Sequence, residues 1–275
     1  MPRDRPEARR GRPASRCDRG GAVLTVVGAG RVGQALAAAA TAQGIEVEVV
    51  TRGGAVPDGG GPVLVCTRND DVAGIIDACP RPADLVLVQN GALLPWLRGR
   101  GFGELTQGQL WFAVPTRGAP PEAGAPSVFW GRHASWTAAF LGRAGLAART
   151  VASAAQYEAE VGTKLLWLSV FGVLGDLHQE TVLASLARTD ELEARVAELL
   201  PVCGAGLGAT PDAADTLRRL REYSLAVGSW RAAVKEWPWR DGWLHTVARR
   251  AGLATPLHDE ACARLGHPAG PVGLY

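Results

Sequence analysis

Short apolar runs alternate with polar, helix-prone stretches through the first half of the chain. Residues 22–27 (AVLTVV) form a β-branched apolar run that ends at a glycine-rich hexapeptide. The Ala-rich stretch from Gln34 to Ala42 follows, so the order reads strand, turn, helix. Glu46–Val50, Pro62–Cys66, Asp84–Val88, Leu110–Val114 and Ser127–Trp130 read as further strands. Asp70–Ala78 reads as a helix with Asn69 or Asp70 as its N-cap, and Gly53–Gly61 as a loop. Strands interleaved with helices in short units imply an α/β fold, a doubly wound and mainly parallel sheet covered on both faces.

The pattern changes near residue 152. Strand-like runs stop, and long Ala/Leu/Glu/Arg-rich segments take over at about 156–175, 179–200, 211–235, 241–252 and 257–265. The chain therefore divides into a first segment at 1–20, a Rossmann-type α/β domain at 21–152 and an all-α domain at 153–275. The first segment has almost no apolar residues and is expected to be disordered.

Charge changes the picture in one respect. The formal net charge is +2, but the first twenty residues hold seven Arg against three acids, leaving 22 basic and 24 acidic residues beyond them. The body of the chain is not a polycation, which argues against nucleic acid as a partner. No apolar run approaches the length of a membrane span, so no membrane partner is expected either. Five Cys without a CxxC pair read as reduced thiols in a cytoplasmic protein. His133, His178, His245, His258 and His267 show no HxxxH or HExxH spacing, so no metal site is expected.

The hexapeptide is Gly28-Ala29-Gly30-Arg31-Val32-Gly33, a GxGxxG placed between a strand and a helix. Its first glycine permits the tight turn, the second lets a pyrophosphate approach the backbone, and the third lets the helix pack on the strand. The free N–H groups of the helix's first turn then face the phosphates. At the end of the second strand an acidic residue would bind a ribose 2′-hydroxyl, whereas this chain has Thr51-Arg52. A guanidinium suits a 2′-phosphate, with Arg31 in reach to assist, so the expected cofactor is NADP(H).

Two further features join this turn. Val88-Gln89-Asn90-Gly91 closes a strand at its carboxyl end, where α/β folds bind ligands, and Lys164 lies near the start of the first long apolar helix. Together they resemble the ketopantoate reductase family over about residues 22–265. The resemblance implies an NADPH-binding Rossmann domain followed by a helical domain, and reduction of a small 2-oxo acid or related ketone. It implies a catalytic Lys at Lys164, in Lys164-Leu165, with Glu236 beside it. It implies substrate binding by Ser224 and Asn90, the Ser and Glu being twelve residues apart as in the family. Cofactor contacts would come from residues 28–33, Arg52, Asn90 and Arg68, the last standing where the family usually has Lys. The family also places Asn four and eight residues after the Lys, where this chain has Leu168 and Gly172.

On the residues alone, Lys164 reads first as a snorkelling side chain whose ammonium reaches water; the resemblance favours instead a Lys that loses hydration beside an apolar face and is tuned towards a general acid. The resemblance therefore implies a small-molecule substrate in a cleft between the domains, reduced by NADPH. A dinucleotide-binding or sensing protein without turnover, motivated by the missing Asn pair, stays open, as does catalysis in the oxidative direction. Four of the nine Trp fall at 230, 237, 239 and 243, where core packing or a homodimer contact is expected, with Trp239 or Trp243 as candidates to line the cleft.

Overall fold

The computed structural model describes residues 23–267; the Arg-rich segment at 1–20 lies outside them. The α/β part opens with β1 (Leu24–Val27), α1 (Arg31–Ala42), β2 (Val47–Val50) and β3 (Val63–Val65). It continues with α2 (Val72–Ala78), β4 (Leu85–Leu87), α3 (Leu93–Gly99) and β5 (Thr106–Gln109), then β6 (Ser127–Trp130), α4 (Ala134–Arg143) and β7 (Ala148–Thr150). The sheet order is β2-β1-β3-β4-β5-β6-β7, with every neighbouring pair parallel except β5 and β6. Val27 pairs with Val50 on one side and Val65 on the other, so the chain reverses its direction of travel across the sheet at β1. A crevice opens beyond the carboxyl ends of strands at such a switch point.

The inner strands are buried throughout and apolar except for Thr25, because helices cover both faces. β5 is the exception. Its sequence, Thr-Gln-Gly-Gln, has no apolar side chain, yet all four residues are buried. Gln107 Nε2 donates to Gly103 O at 3.3 Å and Gln109 Nε2 to the Tyr157 hydroxyl at 3.1 Å, which keeps these amides bonded inside the core. A Cβ on Gly108 would lie 2.2 Å from the Phe129 ring. The strand expected at 110–114 is therefore displaced to 106–109, and Leu110, Trp111 and Phe112 run out of the sheet as buried packing residues.

The helical part comprises α5 (Ala154–His178), α6 (Val182–Ala187), α7 (Thr189–Leu207), α8 (Ala213–Ala226), α9 (Asp241–Ala251) and α10 (Pro256–Arg264). Ser153 caps α5 by accepting from the Gln156 N–H at 3.3 Å, while Gln156 Oε1 accepts from the Ala152 N–H at 2.9 Å. From Tyr157 to Gly175 this helix is buried almost all round, as a central helix must be. Its Glu160 pairs with Arg149 of β7 and with Arg219 of α8, each at 2.6 Å, and Glu158 pairs with Arg98 of α3.

Two expected helices are broken. The stretch 179–200 turns at Gln179, which has φ 53°, and restarts as α6 and α7. The stretch 211–235 ends at Ala226, and residues 227–240 form a strap laid across α5, apart from a short 3-10 turn at Trp237–Trp239. Gly172 and Gly175 of α5 make room for it: a Cβ on either would lie 3.1 Å from Ala233 O or 2.4 Å from Ala232 O.

The glycine turn carries a stability prediction. A Cβ on Gly33 would sit 1.9 Å from Gly28 O, so α1 rests directly on the backbone of the turn. Gly33→Ala is expected to cost about 1–3 kcal/mol and to lower Tm by several degrees in a thermal melt. Gly142→Ala, in α4 with nothing within 4 Å, should be neutral or slightly stabilising. Equal melts for the two variants would contradict the packing argument.

Candidate active site

One large cleft, about 1830 Å³, runs from the glycine turn to the strap and the middle of α5. At its α/β end, Gly28 has φ 103°, and a Cβ there would meet Cys66 O at 2.9 Å. Gly30 is the N-cap of α1 and offers no side-chain bond to the helix, so the first-turn N–H groups are left for a ligand. Ala29 and Val32 line the cleft with them. Arg31 is occupied structurally: its Nη1 donates to Val114 O at 3.2 Å and Pro115 O at 3.1 Å, bracing the segment after β5. Arg52 is exposed on the loop after β2, and no acid occurs among the loop residues 51–56. Arg68, also exposed, stands past the end of β3 on the same cleft. Eight basic side chains against three acidic ones line the whole cleft.

The middle of the cleft is closed by a latch. Gln89 Nε2 donates to Val65 O at 2.8 Å and aligns the turn that carries Asn90. Gly91 has φ 94° and lies against Trp239 O, to which the Ala92 N–H donates at 2.8 Å. Trp239 Nε1 donates to Asp70 Oδ1 at 2.7 Å. Asn69 Nδ2 donates both to Asn90 O at 2.9 Å and to Glu236 Oε1 at 3.1 Å, and Glu236 Oε2 meets Arg240 Nη2 at 2.5 Å. Glu236 itself is held at φ 47°, a left-handed conformation that costs a non-glycine residue about 1–3 kcal/mol. Its carboxylate joins the strap to the α/β part and to Arg240, and both oxygens are engaged.

Lys164 faces this cleft from α5 and is only 3 % exposed. Its Nζ lies 4.2 Å from the ring centre of Trp111, 4.3 Å from Tyr223 and 5.0 Å from Trp167. Burial holds its pKa well below the ordinary 10.5, and the Arg240 guanidinium adds to the shift. The three ring faces attract the ammonium by about 0.5–2 kcal/mol each and offset part of this cost. The result is a dry amine with no carboxylate pair among the described residues.

The other expected site residues divide. Asn90 is half-buried on the cleft, and its main-chain carbonyl is tied to Asn69. Ser224 is fully buried behind the cage, where its hydroxyl accepts from Trp167 Nε1 at 2.9 Å, and it is not among the cleft-lining residues. Leu168 lines the cleft, and Gly172 is where the strap touches α5. Gly172→Asn should therefore push the strap off α5, lowering Tm by several degrees; an unchanged melt would show that the strap yields freely. Trp239 and Trp243 are both packed in cores and do not line the cleft, whereas Trp230 does. The cage of Trp111, Trp167 and Tyr223 was not anticipated. Only Trp167, one turn beyond Lys164, carried a local signal.

No protein-family model matches the sequence, and no curated protein matches it. Solved structures do. A ketopantoate reductase from Ralstonia eutropha superposes with TM-score 0.69 at 18% identity, over 89% of this chain and 97% of that one. A 2-dehydropantoate 2-reductase from Geobacter metallireducens gives 0.66 at 20% identity, over 89% and 99%. This chain has the ketopantoate reductase fold. A D-mandelate dehydrogenase solved with NADH and anilino(oxo)acetate shares that fold with TM-score 0.68 at 12% identity, over 89% and 97%. Among the described residues, no helix is long and apolar enough to cross a membrane.

Proposed function

We propose that this chain is a divergent ketopantoate reductase-like enzyme that uses NADPH to reduce a small 2-oxo acid. The observation that carries the reading is Lys164, an amine caged by aromatic rings on the same cleft as an uncapped helix N-terminus after a GxGxxG turn. The steric demands of Gly28 and Gly33 and the basic lining fit a dinucleotide diphosphate. Residues 28–33 would hold the pyrophosphate, Arg52 and Arg68 the 2′-phosphate side, and Asn90 the nicotinamide side. The cofactor, when bound, supplies a hydride to the substrate's carbonyl carbon.

The chain's own residues supply the rest. Lys164 Nζ donates a proton to the carbonyl oxygen as negative charge develops on it. Arg240, buried and close enough to depress Lys164, is the counterion for the substrate carboxylate. An anion bound there offsets the guanidinium's effect and favours the protonated form of Lys164. Trp111, Trp167 and Tyr223 exclude water, and Glu236 keeps Arg240 and the strap in place.

The test is NADPH oxidation, followed by absorbance, with a panel of 2-oxo acids and matched ketones. Turnover with an acid, and much weaker turnover with its uncharged analogue, supports the reading. Tight NADPH binding with no turnover on any member overturns it in favour of a non-catalytic binding protein, which the absence of an Asn pair at Leu168 and Gly172 would then explain.

A further inference from the structure

Away from the cleft, α9 and α10 bring together four polar side chains in a dry space. Asp241 and His245 are one turn apart on α9, and His258 and Cys262 are one turn apart on α10. The i,i+4 spacing puts each pair on one helix face, and all four residues are at most 2 % exposed. The nearest ligating atoms of His245, His258 and Cys262 all lie within 4.8 Å of one another. His258 Nε2 is 3.7 Å from Cys262 Sγ and 3.7 Å from Asp241 Oδ1. Tetrahedral zinc, with Zn–S about 2.3 Å and Zn–N or Zn–O about 2.0 Å, needs ligand–ligand edges of roughly 3.3–3.6 Å. The shorter distances are within a few tenths of an ångström of that.

The hydrogen bonding of this cluster is incomplete. Neither Asp241 oxygen and neither ring nitrogen of His245 completes a hydrogen bond of normal geometry. Asp241 is fully enclosed, with the Ser169 hydroxyl and the Arg240 guanidinium as its near polar neighbours. A buried carboxylate without a partner costs several kcal/mol or more, and a bound cation removes that cost. On the far side of His245, Asp259 Oδ1 lies 2.8 Å from Nδ1, an ion-pair distance without the angle of a normal hydrogen bond. A carboxylate there orients a ligating imidazole and leaves Nε2 free for a metal. A set of one thiolate, two imidazoles and one carboxylate selects zinc over magnesium or calcium.

We propose that Asp241, His245, His258 and Cys262 form a structural zinc site that clamps α9 to α10, with Asp259 supporting His245 from behind. On binding, the Cys262 S–H bond is lost, its proton goes to solvent and a Zn–S bond forms. The two charges of the metal are balanced by the thiolate and the Asp241 carboxylate. Four protein ligands leave no open position, so the site is structural. It also fixes the helix that begins beside Arg240, and so the end of the strap. The absence of HxxxH and CxxC pairs hid it in the sequence, because each helix supplies an unlike pair.

The test uses the untagged full chain. Elemental analysis of protein purified without added metal is expected to give about one zinc per chain. Stripping with a chelator should lower Tm by roughly 5 °C or more, and zinc chloride, but not magnesium chloride, should restore it. Cys262→Ser should lose the zinc, while Cys79→Ser, outside the cluster, should keep it. Should Cys262→Ser fail to fold, cobalt added to stripped wild type should give a thiolate-to-cobalt charge-transfer band. Zinc-free protein whose Tm ignores added zinc, or a cobalt spectrum without the thiolate band, would overturn the proposal. None of these readouts depends on reductase activity.

Discussion

Lys164→Met is expected to lower kcat for NADPH-dependent reduction by about 10²–10⁴-fold, to leave nucleotide affinity nearly unchanged, and to raise Tm. The three outcomes have one cause. Lys164 is 3 % exposed, ringed by Trp111, Tyr223 and Trp167, and its charged form is disfavoured by burial and by Arg240. Methionine fills a similar volume without the charge, so the enclosure is relieved of a group whose charged form it disfavours. A gain of about 0.5–2 kcal/mol is expected. Its pH dependence has a definite sign. The folded pKa lies below the ordinary 10.5, so between the two the unfolded chain binds the extra proton and wild-type stability rises with pH. The advantage of the Met variant is therefore largest at low pH and shrinks towards 10.5. Lys164→Arg should not rescue turnover, since a guanidinium does not give up its proton. Thermal melts across pH and steady-state rates check these points; turnover that survives Lys164→Met would remove the amine from the mechanism.

Arg52→Asp should reverse the cofactor preference. Charge-assisted bonds to a phosphate are worth about 1.5–3 kcal/mol, so NADPH affinity should drop roughly 10–100-fold from their loss alone. The new carboxylate repels the 2′-phosphate as well and accepts from the free 2′-hydroxyl of NADH. The ratio of NADPH to NADH affinity should then fall by about 10²–10³. Arg52 is exposed with no acid beside it on its loop, so the substitution should leave Tm almost unchanged. Titration of both nucleotides against wild type and variant measures the ratio. An unchanged ratio would move 2′-phosphate recognition elsewhere, with Arg68 the next candidate on the cleft.

The first βαβ unit was readable in the sequence because its constraints are local. Strands buried on both faces must be continuous apolar runs, and a turn whose Cβ positions are filled by Cys66 O and Gly28 O must be glycine. β5 was not readable, since Gln107 and Gln109 are buried only by virtue of partners at Gly103 and Tyr157. The strap was hidden for a related reason. Residues 227–235 have helical composition, but 227–229 form a turn closed by the Trp230 N–H on Val227 O, and the Val182 and Leu183 N–H groups of α6 bond to Trp230 O and Gly228 O and anchor that turn. This also separates Ser224, sealed behind Trp167, from Glu236 on the cleft, so their twelve-residue spacing does not make them neighbours in one pocket wall. The cage around Lys164 draws on residues 111, 164, 167 and 223, from three separate segments, and only folding brings them together.

The central claim is that a 2′-phosphorylated dinucleotide lies over residues 28–33 with its reactive end at Lys164. Energy transfer from the protein's tryptophans to reduced nicotinamide measures this at equilibrium, because Trp230 and Trp167 border the cleft and Trp111 lies against the lysine. The account predicts saturable binding of one NADPH per chain, weaker binding of NADH, and a further signal change when a 2-oxo acid is added to the NADPH complex. No saturable transfer with either nucleotide would contradict it.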